Sequence, residues 1–79
     1  MKERTPMYHR RKELGYTQLK MQILTGIDQS DYSKLERGKR NMSFEQCRQI
    51  ALALKTSMDY LAGLTDDPRP YPQKSKSDG

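Results

Sequence analysis

The sequence has 79 residues, 33% of them hydrophobic, with 15 Lys+Arg against 10 Asp+Glu and a formal net charge of +5. Such a length implies one domain with a thin core, because a domain this small buries only about 60% of the surface its unfolded chain exposes, and a deep catalytic cleft is not expected. One cysteine excludes an internal disulfide framework and a multi-cysteine zinc site; no apolar run approaches the ~20 residues that span a bilayer, and the basic start leads into no apolar signal core, so the expected setting is reducing and cytoplasmic.

The predicted elements are helical throughout, since no alternating β-branched run appears. Helix 1 is expected over residues 6–14, with Met7, Arg11 and Leu14 on one stripe and Gly15 ending it. Thr17 is a good N-cap for helix 2, residues 18–25, and Gly26 stops it. Asp28 can cap helix 3, residues 29–37, with Tyr32 and Leu35 inward and Gly38 closing it. Ser43 caps helix 4, and Gln46 stands three residues later as in a capping box. Phe44, Cys47, Ile50, Ala51 and Leu54 then recur at helical spacing. Ser57 caps a last short helix with Met58, Leu61 and Ala62. Residues 1–65 therefore read as the folded domain. Residues 66–79, with Pro68, Pro70, Pro72, lysines and serines, read as an extended or irregular tail.

Charge and spacing point to one chemistry. Residues 1–40 hold ten Lys/Arg and five Asp/Glu, so this half carries the whole +5 excess. A one-sided positive field suits a polyanion, nucleic acid before membrane. Only Gly26-Ile27-Asp28 joins helices 2 and 3, which favours a steep crossing over an antiparallel return. Ile27 is placed to plug the angle. On helix 3, Gln29, Ser30, Ser33, Lys34 and Arg37 lie on or beside one face. Gln can pair bidentately with adenine, and Lys can donate to guanine O6 and N7. Asp31 has three open roles on this helix: a cap, an acceptor from cytosine, or a source of phosphate repulsion.

The ordered set Tyr16-Thr17-Gln18, Thr25-Gly26-Ile27-Asp28-Gln29-Ser30 and Lys34-Leu35-Glu36-Arg37-Gly38-Lys39-Arg40 resembles the Cro/phage-repressor type of helix-turn-helix domain, also called the xenobiotic-response-element family. The likeness continues through Ser43, residues 50–54 and Ser57-Met58-Asp59-Tyr60-Leu61, covering about residues 7–64. The resemblance implies an all-α, compact five-helix, lambda-repressor-like fold with its helix-turn-helix at 17–37. It implies a transcriptional regulator, a repressor by preference, that binds double-stranded operator DNA as a homodimer, with helix 3 in the major groove. Base readout would fall to Gln29, Ser30, Ser33 and Lys34. Phosphate and backbone contacts would fall to Gln18, Lys20, Arg37, Lys39, Arg40 and Asn41. Arg11 and Glu36 match a family ion pair between helix 1 and the end of helix 3. The expected dimer interface is helix 5 with the Leu64 to Tyr71 segment.

Three departures stand out. Gln22 occupies a position where the family prefers alanine, so either its side chain escapes sideways or the helix crossing opens. Leu24 replaces a common polar surface residue, and Arg10 stands where many members carry leucine. No cofactor, metal or small-molecule ligand is expected: His9 has no partners for catalysis or metal binding, Cys47 falls on an apolar stripe, and no glycine belongs to a phosphate loop. No nucleophile–base pair is visible, so an enzyme is not expected. Two other readings remain: an antitoxin or restriction-system controller of the same fold, and a protein-interaction module using Leu24 and Tyr71 without DNA.

Overall fold

A computed structural model describes residues 5–70. Helices α1 (Pro6–Leu14), α2 (Gln18–Thr25), α3 (Gln29–Glu36), α4 (Phe44–Ala53) and α5 (Met58–Leu61) follow one another without a strand among the described residues. This is the all-helical fold expected from the sequence. Three residues expected within helices serve instead as C-caps: Arg37 after α3, Leu54 after α4 and Ala62 after α5. No helix among the described residues is long and apolar enough to cross a membrane.

Each helix begins on a side chain that accepts a hydrogen bond from an amide the helix leaves open. Thr5, Thr17, Asp28, Ser43 and Ser57 do this for α1 to α5 in turn. At α4 the exchange is reciprocal, because Gln46 Oε1 accepts from the Ser43 amide at 3.0 Å while Ser43 Oγ accepts from the Gln46 amide at 3.0 Å. Gly26 ends α2 at φ 78°. A Cβ there would meet nothing within 4 Å, so the backbone angle, not crowding, is what suits glycine.

The core forms where the helical stripes meet. Met7 from α1, Met21 from α2, Tyr32 and Leu35 from α3, Ile50 and Ala51 from α4, Leu54 and Leu61 are all buried. Leu14, Tyr16, Ile27, Met42, Cys47, Ala53, Met58 and Tyr60 pack around them. Ile27, in the short link between α2 and α3, is thus partly buried against the core. The fold sets α2 against α3 and α4, and α5 against α4 and α1.

Arg10 does not take a core place. Its Nε donates to the Leu54 carbonyl at 2.9 Å, one Nη to the Lys55 carbonyl at 3.0 Å and the other to Glu13 at 3.1 Å. It therefore satisfies carbonyls left open at the end of α4, a task a leucine could not perform. Lys55 itself turns the chain there at φ 55°, in the left-handed region.

Candidate nucleic-acid interface

The anchor of the site is a buried ion pair. Arg11 Nε donates to Glu36 Oε2 at 2.6 Å and Arg11 Nη2 to Glu36 Oε1 at 3.1 Å, a two-pronged contact between α1 and the end of α3. Their side chains are only 9% and 3% exposed. The remaining Arg11 Nη1 donates to the Tyr16 carbonyl at 2.8 Å, which fixes the turn before α2. Thr5 Oγ1 donates to the Glu36 carbonyl, holding the start of α1 to the same point. A buried charge pair is tolerable when further hydrogen bonds support it, as the Tyr16 carbonyl does here. The hydrogen bond to Glu36 is also the main reason the Arg11 guanidinium pKa rises above its ordinary value.

Gln18 joins this anchor. Its Nε2 donates to Glu36 Oε1 at 2.7 Å. The carboxylate can only accept, so the orientation of the amide is fixed. Gln18 is half-buried, and one of its two amide hydrogens is committed inward. The residue expected to touch phosphate is thus first a strut between α2 and the end of α3.

Two neighbours hold the start of α3. Asp28 Oδ2 accepts from the Ser30 amide at 3.0 Å, and Gln22 Oε1 accepts from the Gln29 amide at 2.7 Å. Of the two outcomes open for Gln22, the side chain has turned aside onto the first amide of α3. An alanine there would leave that amide to water or to a ligand.

The outward side of α3 carries the predicted readers. Gln29, Ser30 and Lys34 are exposed and Ser33 is half-exposed, while Tyr32 and Leu35 are buried behind them. Gln18, Gln22, Asp28, Gln29, Ser30 and Ser33 together line a shallow concavity. Of the residues expected to contact phosphate, only Gln18 is among those that line it. Lys20, Arg37, Lys39, Arg40 and Asn41 are exposed. Lys20 Nζ rests 5.4 Å from the centre of the Tyr16 ring, a cation–π distance. Arg37 Nε reaches back to the Ser33 carbonyl at 3.4 Å. Arg40 stands 3.4 Å from Asp31, so the acid left unassigned in the sequence faces one of the expected phosphate ligands. Lys34 and Lys39 have no ion-pair partner among the described residues.

Residues 7–61 match the family described as Helix-turn-helix. The chain belongs to the Cro/phage-repressor-type helix-turn-helix family. The match spans the turn, the capped α3 and the α4 to α5 core just described, and it makes this a helix-turn-helix domain of the DNA-binding regulator class. No curated protein and no solved structure matches the chain.

Sequence reasoning missed two residues of this helix-turn-helix arrangement. Thr5 gave no signal beyond preceding Pro6, and its bond to the end of α3 requires the tertiary fold. Gln22 was visible as a departure from the family, but its acceptor was not. The expected contact residue Tyr71 lies outside the described residues.

Proposed function

We propose that this domain is a sequence-specific transcriptional regulator, a repressor, that reads operator DNA with α3. The observation that supports this most is the division of α3 into two sides. Tyr32 and Leu35 are buried while Gln29, Ser30 and Lys34 stand free of the core, flanked by exposed Lys39 and Arg40. Amide and hydroxyl groups on such a side match the donor and acceptor pattern of base edges. The cations beside it supply the affinity that does not depend on sequence.

A homodimer on a two-fold operator completes the reading. Two recognition helices about 34 Å apart would enter successive major grooves. Leu64, just beyond α5 and 76% exposed, is the apolar residue we place in that interface. Selection from random duplexes at about 150 mM salt tests the proposal. A recurrent two-fold motif and a protein dimer by sedimentation are expected. Recovery of no motif would overturn it.

A second reading has one observation in its favour. On α2, Leu19, Ile23 and Leu24 are 53%, 72% and 43% exposed. Such a surface suits a protein partner, as an antitoxin or a pure interaction module would require. Partner binding that survives reversal of the Lys34 and Lys39 charges, without DNA binding, would favour it.

A further inference from the structure

We infer that Gln22 is a DNA contact in its own right, donating from its outward amide nitrogen to a backbone phosphate. The inference rests on the DNA-binding reading above and deepens it. It begins with the Gln29 amide, which can only donate, so the atom 2.7 Å away must be the Gln22 oxygen. The same bond leaves Nε2 on the far side of the carboxamide. That nitrogen has no partner among the described residues, and Gln22 is half-exposed. Gln22 lines the concavity together with Gln18, Asp28, Gln29, Ser30 and Ser33. Gln18 and Gln22 are four residues apart on α2, so both carboxamides lie on one face of that helix.

Phosphate is the matching acceptor. Nε2 offers donors only, and phosphate oxygens only accept. Gln22 stands on α2, the helix that crosses the DNA backbone in this arrangement, not on the helix that enters the groove. The Asp28 carboxylate lines the same concavity, but its Oδ2 is engaged by the Ser30 amide at the positive end of α3. Gln22 therefore has two simultaneous tasks. Its oxygen sets the first residue of the reading helix, and its nitrogen fixes that helix against the backbone. A phosphate bound there would also hold Gln29 in register, because one carboxamide joins the two.

The test couples the side chain to individual phosphates. The duplex selected by the wild-type protein is scanned with single neutral methylphosphonate linkages, and binding is compared for wild type, Gln22→Ala and Gln22→Glu. In the wild type, the linkage that meets Gln22 in each half-site should weaken binding about tenfold, the size of a charge-assisted hydrogen bond. In Gln22→Ala that linkage should no longer matter. Gln22→Glu keeps an oxygen for the Gln29 amide and so keeps the cap, but places a carboxylate at the phosphate. There the same methylphosphonate should strengthen binding. The opposite sign keeps the test decisive even if Gln22→Ala melts too low to assay. Independent effects of side chain and linkage at every position would overturn the inference. So would coupling to a base change in place of a phosphate. If the wild type selects no duplex at all, it is the DNA-binding reading itself that fails.

Discussion

Glu36 ties three other residues of the site together. It receives Arg11 twice and Gln18 once, and its backbone carbonyl receives Thr5. Replacing Arg11 with Met should cost about 3–5 kcal/mol, because a buried carboxylate would be left without its counter-charge. Urea unfolding of the variant would measure this, and a loss below 1 kcal/mol would show the pair to be incidental. Tyr32 gives a contrasting case. Its hydroxyl is buried with no hydrogen-bond partner among the described residues. Burial first, and the neighbouring Glu36 charge second, push its pKa upward. The raised value means that the folded state holds this proton more tightly than the unfolded state. Its contribution is present below about pH 10, the unfolded value, and is lost as pH rises above it. Tyr32→Phe should therefore raise stability at pH 7 by about 1 kcal/mol, since a buried unpaired hydroxyl is removed. It should also flatten the alkaline fall in melting temperature. An unchanged alkaline profile would show that another group sets it.

At the scale of elements, α3 is positioned from both ends. Gln22 and Asp28 hold its first amides, and the Arg11–Glu36 pair holds its last turn. A helix so fixed presents its outer side chains in one orientation, which base discrimination requires. Gln29→Ala and Lys34→Ala should relax preference at particular base positions, each by about 1–3 kcal/mol. Lys39→Ala should weaken all sequences alike and lower the salt slope by about one. Competition binding against substituted duplexes separates the two patterns, and uniform weakening by all three variants would remove α3 from base readout. Lys55 sits at φ 55°, where a side chain costs about 1–2 kcal/mol. Lys55→Gly keeps the carbonyl that Arg10 uses and should raise the melting midpoint by about 4–8 °C. A drop would mean that the lysine stem contributes more by packing than its backbone angle costs.

For the whole molecule, the charge excess and the exposed cations make salt the controlling variable. If Lys20, Arg37, Lys39 and Arg40 each neutralise one phosphate, the log–log salt slope per protomer should lie near about −3.6. Arg40 is half-engaged by Asp31, so Asp31→Asn should tighten binding several-fold at low salt and less at high salt. Titrations at several salt concentrations would check both, and a slope near zero would exclude a phosphate-based interface. The exposed apolar residues on α2 and the exposed Leu64 belong to this scale as well.

The sequence by itself determined the helices. Thr17, Asp28, Ser43 and Ser57, the capping box at Gln46 and the glycine stops are local devices, each acting within a few residues, so periodicity and cap chemistry placed α1 and α2 and put the ends of α3, α4 and α5 within one residue. The Arg11–Glu36 pairing was legible only through the family resemblance. Tertiary structure alone decided what the long polar side chains do. Gln18 turned inward to Glu36, Gln22 turned onto the Gln29 amide, and Arg10 reached the carbonyls after α4. The reason is physical: a carboxamide or guanidinium takes the nearest unsatisfied partner, and those partners lie 7 to 45 residues away along the chain, brought into reach only when the helices pack.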